Sequence, residues 1–210
     1  KYNVAGNWSG SSAVSQMLKL PAGVSTINAT LYATGVQLWW PHGMGAQKLY
    51  YINVTAQVGR TTAVQIGRNI GFRSINIHAR LATNTTPQLH QYRVNGVPFF
   101  AKGANWVPPD SLHAKVTDDA LCSYIESAQN ANYNFLRVWG GGDFPANAFF
   151  DCADKYGIFI QQDGIISDAV YADTPSFVRK LGEEGQYQAW RLASHPSLFM
   201  WSGSNEVDLT

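Results

Sequence analysis

The first 80 residues consist mainly of short stretches in which apolar and polar positions alternate, the pattern of half-buried β-strands. We predict strands at residues 13–20, 25–32, 37–40, 49–58, 61–66 and 72–78. Glycine and proline lie between several of these stretches, as expected of turns. Short strands at this spacing, without a helical period, predict a small antiparallel all-β sandwich over residues 1–80.

From Phe99 onward the pattern changes to apolar runs that alternate with amphipathic stretches. The apolar runs are residues 99–103, 135–139, 158–163 and 198–203. Apolar residues recur at helical spacing in residues 118–132, 146–156 and 175–193, and Gly157 stands where a helix C-cap belongs. Apolar strands in strict alternation with helices predict parallel β/α units.

Two architectures contain such units, the TIM (β/α)8 barrel and the doubly wound open sheet. The open sheet usually carries a glycine-rich phosphate loop after its first strand, where this chain has Trp-Val-Pro-Pro at residues 106–109. We therefore predict the first half of a TIM (β/α)8 barrel over residues 99–210, with residues 81–98 as the linker that enters it. Half a barrel leaves two sheet edges open, so we expect the remainder of the same polypeptide or a companion chain to complete it.

The composition, 45% hydrophobic and 14% charged, is typical of a folded globular protein. The net charge of +1 gives no reason to expect a concentrated basic face, so we expect no nucleic-acid partner. No apolar stretch reaches the roughly 18 residues of a membrane span, and no His, Cys, Asp or Glu group has metal-ligand spacing. We therefore expect no membrane span, no metal and no cofactor.

The cellular compartment is indicated by four N-glycosylation sequons, which begin at Asn7, Asn28, Asn53 and Asn84. They favour a secreted or lysosomal protein. Residues 1–3 have no signal-peptide character, so we expect the sequence to begin after a processing site or inside a longer protein. Cys122 and Cys152 both fall in helical patterns. We interpret them as small buried hydrophobic residues, with a disulfide between adjacent helices as the alternative.

Each predicted parallel strand ends in polar residues, at the sheet edge where (β/α)8 enzymes carry their functional groups. Glu206 follows Asn205 directly after the fourth strand, with Trp and amide neighbours and few charges nearby. A carboxylic acid in such a place can donate a proton, for example to a glycosidic oxygen, so Glu206 is a candidate catalytic acid; the alternative is a surface carboxylate. Asp163 closes the third strand and either accepts hydrogen bonds from sugar hydroxyls or caps the next segment. Trp139 precedes three glycines and either stacks on a sugar or packs in the core.

Other candidates lie on or after the first two strands. Arg137 lies inside the second strand, where an unpaired charge is costly. We expect it to hold a carboxylate, either that of the candidate acid or that of a nucleophile. Trp106 and Asp110 follow the first strand and are candidates for substrate binding, with loop packing and a helix N-cap as the alternatives. His195 and His42 are isolated in the sequence, and we interpret them as structural.

Five segments, in order, resemble glycoside hydrolase family 2 and most of all its β-mannosidase branch. They are Trp-Trp-Pro-His-Gly at 39–43, Phe-Ala-Lys-Gly-Ala-Asn-Trp-Val-Pro at 100–108, Leu-Arg-Val-Trp-Gly-Gly-Gly at 136–142, Gln-Asp at 162–163 and Trp-Ser-Gly-Ser-Asn-Glu at 201–206. The resemblance is weak before residue 37 and strong from residue 95. It implies that the sandwich is immunoglobulin-like and that the half barrel is catalytic.

The resemblance also implies roles for individual residues. Glu206 would be the general acid/base, Asn205 would contact the sugar 2-hydroxyl, and Asp163 and Trp139 would line the subsite of the terminal sugar. The nucleophilic glutamate of such enzymes lies on a later strand, outside this sequence.

The chain departs from the β-mannosidase branch at three places near the expected sugar site. Gly164 stands where a bulky aromatic residue is usual, and Asp168 where small residues are usual. Residues 143–145, Asp-Phe-Pro, replace an aromatic and acidic pair.

These features lead to the hypothesis that the chain is a fragment of a retaining, exo-acting β-glycosidase that removes terminal β-linked mannose from glycans or glycoproteins. Without its nucleophile, the chain is expected to be inactive alone. β-Galactosides and β-glucuronides are the nearest alternative substrates. The alternative from another class is a catalytically inactive, hydrolase-like glycoprotein that binds glycans or forms part of an extracellular assembly, which the changes at Gly164 and Asp168 favour.

Overall fold

The computed structural model describes residues 1–11, 13–80 and 89–207, without the side chains of Arg80 and Leu89. Within these ranges it is a mixed α/β structure with three sheets and three α-helices. The strands are β1 (Tyr2–Gly6), β2 (Val14–Gln16), β3 (Tyr50–Val58), β4 (Thr61–Ile70), β5 (Ile75–Arg80), β6 (Leu89–Val94), β7 (Val97–Phe99), β8 (Gly103–Trp106), β9 (Phe135–Val138), β10 (Phe159–Asp163) and β11 (Leu198–Ser202). The helices are α1 (Asp118–Asn130), α2 (Asn147–Tyr156) and α3 (Pro175–Leu192).

The first sheet is antiparallel, with the strand order β2-β1-β3-β4. Its longest strand, β3, agrees closely with the prediction at residues 49–58. The strand predicted at 61–66 extends to Ile70, whereas the one predicted at 13–20 shrinks to three residues. The stretch 37–40 contributes a single bridge, between Trp39 and Gln47.

The strand predicted at residues 25–32 is wrong, because these residues join none of the described sheets. Ile27 and Tyr32 are 40% and 73% exposed. Alternation of apolar and polar residues stabilises a strand only when a neighbouring layer buries one of its faces. Residues 25–32 pair with no described strand, so alternation alone does not make them part of a sheet.

The second sheet, β5-β6-β7, is a three-stranded antiparallel meander that crosses the domain boundary predicted after residue 80. The predicted linker therefore contains β6 and most of β7. The third sheet is parallel, in the order β11-β10-β9-β8. Helix α1 connects β8 to β9, α2 connects β9 to β10, and α3 connects β10 to β11, so the predicted β/α alternation is confirmed.

The two faces of the parallel sheet are buried against different partners. One face packs on α1 and α2 through a cluster that includes Leu136, Val138 and Ile160. On the opposite face, Phe135, Phe159 and Phe199 pack with Trp39 and Val94 and with partly buried residues of β5, β6 and β7. The aromatic cluster covers the amino-terminal part of this second face, so its carboxyl-terminal part is left for polar side chains.

Cys122 of α1 and Cys152 of α2 form a disulfide, with their Cα atoms 5.4 Å apart. Our first interpretation, two unpaired buried cysteines, is therefore wrong, and the alternative of a bridge between adjacent helices is confirmed. The bridge closes a loop of 30 residues around β9. No helix among the described residues is long and apolar enough to span a membrane.

Candidate functional site

The candidate site lies at the carboxyl ends of β9, β10 and β11, on the sheet face opposite α1 and α2. Successive side chains of a strand point to opposite faces. Leu136 and Val138 pack toward the helices, so Arg137 between them points to the other face. The parallel register sets Arg137 beside Gln161 of β10 and Asn105 of β8.

Arg137 and Asp163 form a two-pronged ion pair. Arg137 Nη2 donates to Asp163 Oδ2 at 2.6 Å, and Nε donates to Oδ1 at 3.3 Å. The backbone N–H of Gly140 donates to the same carboxylate at 3.2 Å. Asp163 is fully buried, and these donors offset the cost of removing its charge from water. Arg137 thus binds a carboxylate, as expected, but it is that of Asp163, which is neither the candidate acid nor the expected nucleophile.

Asn205 extends this network across the mouth of the sheet. Its Oδ1 accepts from Arg137 Nη2 at 2.6 Å. Its Nδ2 lies 3.1 Å from Ser167 Oγ and 3.2 and 3.1 Å from the two carboxylate oxygens of Asp168. The amide therefore joins the β9–β10 ion pair to the loop that follows β10.

Glu206, the candidate acid, is exposed and has a left-handed backbone conformation with φ 51°. Its neighbour Asn205 is held by two backbone hydrogen bonds, from Asn205 N to Ile166 O and from Asp168 N to Asn205 O, each 3.1 Å long. The backbone at the strand end is therefore fixed by the neighbouring loop, while the carboxylate of Glu206 is open to solvent.

The close approach of two loops accounts for the glycine at position 164. A Cβ atom placed there would lie 2.3 Å from the carbonyl oxygen of Gly203. No side chain fits unless one of the loops after β10 and β11 moves. A bulky aromatic residue at this position would need a different loop path.

Trp139 is half-buried beside the network, and its indole lies against Gly141. A Cβ atom at Gly141 would lie 2.0 Å from ring atoms of Trp139. The indole orientation thus depends on a glycine at position 141. The ring keeps an exposed part that could contact a ligand.

Trp106 and Asp110 lie apart from this network. The Trp106 ring packs against Phe149 of α2 and Tyr124 of α1, with centroids 4.8 and 5.5 Å away. It lines a cavity of about 210 Å³ between the loops that follow β8 and β9. Asp110 Oδ1 accepts from Leu112 N at 2.7 Å, which is a turn contact. Helix α1 is capped instead by Thr117, so Asp110 is not its N-cap.

Sequence reasoning missed Ser167 and did not assign Asp168 to the network. Asp168 attracted attention only as a departure from the branch pattern. Its contact with Asn205 depends on a left-handed backbone at Asp168, φ 50°, which is uncommon for a residue other than glycine. No local sequence pattern predicts the left-handed conformation of Asp168.

A second group of titratable residues, Asp151, Asp154 and His195, was not predicted as a cluster from the sequence, which led only to a structural interpretation of His195. Their potential metal-ligand atoms all lie within 4.8 Å of one another. His195 Nδ1 is 2.7 Å from Asp154 Oδ2, and Asp154 Oδ1 accepts from Ser197 N at 2.9 Å. Burial raises the pKa of Asp154, and its hydrogen bond to His195 opposes that shift. The pair fixes α2 to the segment before β11, so His195 has a structural partner.

Three of the four predicted glycosylation sites fall in the described residues, and Asn84 lies outside them. Asn28 is exposed. Asn7 is exposed, and its Oδ1 accepts from Tyr51 N at 2.7 Å. Asn53 is half-buried within β3, and its Oδ1 is buried with no hydrogen-bond partner in the described part of the chain.

The sequence is similar to those of curated β-mannosidases. The chain is 37% identical over 174 residues to a β-mannosidase of Rattus norvegicus, covering 83% of this chain and 20% of that protein. It is 35% identical over 187 residues to β-mannosidase A of Aspergillus terreus, covering 86% of this chain and 20% of that protein. The chain thus spans about a fifth of the length of these curated relatives. No family model matches it.

The fold has a counterpart among solved structures. The crystal structure of β-D-mannosidase from Dictyoglomus thermophilum superimposes with a TM-score of 0.83 at 27% identity, covering 98% of this chain and 26% of that one. Together with the curated relatives, this similarity establishes that the chain is β-mannosidase-like and belongs to glycoside hydrolase family 2.

Proposed function

We propose that the chain forms part of the active site of a retaining, exo-acting β-glycosidase that removes terminal β-linked mannose from glycans or glycoproteins. The observation that carries this proposal is the Asp163–Arg137–Asn205 network, which ends at the residue before Glu206. The network holds polar groups at the carboxyl ends of adjacent parallel strands, where β/α enzymes bind substrate.

In the proposed mechanism, Glu206 is the general acid/base. Its carboxyl group gives a proton to the glycosidic oxygen while a second carboxylate attacks the anomeric carbon and the aglycone leaves as an alcohol. Glu206 then takes a proton from water, and the water oxygen displaces the enzyme carboxylate from the sugar. The second carboxylate is a glutamate outside this sequence, and retention requires it about 5 to 5.5 Å from Glu206.

The other site residues would bind and orient the sugar. Asn205 contacts the 2-hydroxyl, Asp163 and Trp139 line the subsite of the terminal sugar, and Arg137 holds both polar groups in place. Asp163 is already engaged by Arg137 and Gly140, so its contribution to the subsite includes orienting these partners. Trp106, the last residue of β8, and Asp110, on the loop after it, stay predictions for substrate binding, although the Trp106 ring packs against α1 and α2.

The proposed architecture is an immunoglobulin-like sandwich over residues 1–80 and the first half of a TIM (β/α)8 barrel over 99–210, joined by a linker at 81–98 that includes β6 and most of β7. The four-stranded parallel sheet and its connecting helices support the barrel half. Strands β8 and β11 are the outer strands of this sheet in the described structure. Further strands, from the same polypeptide or a companion chain, would pair with them and contribute the second carboxylate.

We place the protein in the secretory route or the lysosome. The Cys122–Cys152 disulfide supports an oxidising folding compartment. The exposed sequons at Asn7 and Asn28 are compatible with glycosylation there.

The test is the variant Glu206→Gln in the full-length polypeptide that carries this sequence. It should lose nearly all turnover of an unactivated β-mannoside, because no acid protonates the leaving oxygen. An activated aryl β-mannoside should still form the glycosyl-enzyme, since its phenolate leaves without a proton. The matched control is Glu183→Gln, which removes an exposed carboxylate of α3. Full activity of Glu206→Gln on the unactivated substrate would refute the assignment.

The second candidate is a non-catalytic glycan-binding glycoprotein. It is favoured by the carboxylate of Asp168, which contacts the Asn205 amide at a position where the β-mannosidase branch usually has a small residue. Saturable binding of β-mannosyl glycans by the full-length polypeptide, with no monosaccharide released, would support this candidate. Release of mannose would exclude it.

A further inference from the structure

We propose that Asp168 is a positioning residue, which fixes the amide of Asn205 so that one Nδ2 hydrogen is presented to the sugar 2-hydroxyl. The inference rests on the proposed function, because it assumes that Asn205 contacts that hydroxyl. The inference goes beyond the proposed function because it gives a role to the Asp168 carboxylate, at a position where the β-mannosidase branch usually has a small residue.

The two ends of the Asn205 amide have partners of opposite chemistry. Arg137 can only donate hydrogen bonds, and it lies 2.6 Å from Oδ1. The Asp168 carboxylate accepts hydrogen bonds, and its oxygens lie 3.2 and 3.1 Å from Nδ2. An amide rotated by half a turn would place its NH2 group against the guanidinium and its oxygen against the carboxylate. The pair of charges therefore selects one amide orientation.

The Nδ2 group has two hydrogens but three nearby acceptor atoms, two on Asp168 and one on Ser167. The ionised carboxylate is the stronger acceptor and keeps one hydrogen. The neutral Ser167 hydroxyl holds the other more weakly. In the inferred complex a sugar hydroxyl replaces the Ser167 hydroxyl as acceptor, and the contact to Asp168 remains.

The backbone holds Asp168 in position for this task. Asp168 N donates to Asn205 O, and Asn205 N donates to Ile166 O, so the loop and the strand end are joined in both directions. The Ser167 hydroxyl also bonds to the Asp168 carboxylate. Since Asp168 itself is exposed, its removal should affect the site more than the core.

The test compares two substrates in the full-length polypeptide, p-nitrophenyl β-D-mannoside and its 2-deoxy counterpart. If Asp168 acts through the contact of Asn205 with the 2-hydroxyl, Asp168→Ala should lower kcat/KM for the mannoside by about tenfold. The same variant should change kcat/KM for the 2-deoxy substrate by less than about twofold. A general structural defect would lower both values equally.

Two further variants sharpen the comparison. Asp168→Asn retains an acceptor oxygen and should recover most of the preference for the mannoside. Asn205→Ala should abolish the preference, and adding Asp168→Ala to it should cause no further loss, because both changes remove the same contact. Retention of the preference in Asp168→Ala, or additive losses in the double variant, would overturn the inference.

The outcomes separate this inference from the proposed function. If the unsubstituted polypeptide turns over the mannoside, the loss of that turnover in the variants measures the role of Asp168. No turnover of any β-mannoside by the unsubstituted polypeptide would refute the proposed function, and this inference with it. Thermal unfolding of each variant identifies a folding defect. If Asp168→Ala has one, the inference is decided by whether Asp168→Asn retains the preference for the mannoside over the 2-deoxy substrate.

Discussion

Arg137 and Asp163 lie on neighbouring parallel strands and meet through two hydrogen bonds, of 2.6 and 3.3 Å, at the carboxyl edge of the sheet. The carboxylate is inaccessible to solvent, whereas 28% of the Arg137 side chain is exposed. The ion pair therefore joins a buried anion to a cation that reaches the mouth of the site. Its energetic importance follows from the burial of Asp163.

Asp163→Asn should destabilise the fold by about 3 kcal/mol, because it leaves the guanidinium without its buried partner. Chemical denaturation measures this change. The control is Glu183→Gln, which removes the exposed Arg179–Glu183 pair, 61% exposed on both sides, and should cost less than about 0.5 kcal/mol. Equal effects of the two substitutions would contradict the structural role of Asp163.

Removal of the disulfide should also be costly. Cys122 and Cys152 close a loop of 30 residues, for which the chain-entropy argument gives about 3 to 4 kcal/mol. The double variant Cys122→Ser and Cys152→Ser should therefore unfold at lower denaturant concentration than the oxidised protein. Reducing agent should weaken the unsubstituted protein and leave the double variant unchanged; sensitivity of the double variant would mean that other contacts are involved.

The sequons should differ in occupancy. Asn28 is exposed and should carry a glycan, whereas Asn53 is half-buried in the middle of β3 and should not. Mass spectrometry after enzymatic deglycosylation distinguishes them, because release of the glycan converts the modified asparagine to aspartate. Asn28→Gln should remove one glycan from the intact mass, and Asn53→Gln should remove none. A glycan on Asn53 would contradict the burial of its side chain in β3.

Gly141→Ala should disturb Trp139, since the new methyl group would lie 2.0 Å from the indole ring. We expect the ring to move and KM for a β-mannoside to rise by about tenfold, with a change in tryptophan fluorescence. Gly185→Ala is the matched control, because a Cβ atom there meets nothing within 4 Å. An unchanged KM for Gly141→Ala would exclude the indole from sugar binding.

The pH dependence of stability should reflect Asp154, whose pKa is raised by burial. A carboxyl group with a raised pKa binds its proton more tightly in the folded state, so stability falls as pH rises from the ordinary carboxyl range, about 4, to the folded-state pKa. In the variant Asp154→Asn the side chain does not titrate, so this contribution to the pH dependence of stability is absent. Across that range the stability of the unsubstituted protein relative to Asp154→Asn should decrease with pH; an increase would show that the hydrogen bond to His195 outweighs burial.

Sequence patterns predicted the parallel part of the fold better than the antiparallel part. The three helices follow from apolar periodicity and from local signals such as Gly157, which caps α2 in the left-handed conformation. Residues 25–32 misled the prediction because alternation says nothing about whether a partner strand exists. The disulfide was only the alternative interpretation of the two cysteines, since their pairing depends on how α1 packs against α2.

The candidate site was predictable as a set of strand ends but not as a network. Asp163 and Asn205 were predicted as site residues because they lie at the ends of strands. A partner for Arg137 was predicted because an unpaired buried charge is costly. The identity of that partner depends on the register between β9 and β10, which no sequence pattern specifies. Trp106 was assigned to the sugar site, but its ring is engaged by α1 and α2 on the opposite side of the sheet.

The hydrogen bond between Trp39 and Asp154 constrains the order in which parts of the chain fold. Trp39 is fully buried, and its indole N–H donates to the carbonyl oxygen of Asp154 at 2.8 Å, across a sequence separation of 115 residues. During synthesis this hydrogen bond therefore cannot form until α2 has left the ribosome. Contacts of such long range form slowly, so burial of this indole should be among the last events, and its fluorescence should report when the early strands dock on the parallel sheet.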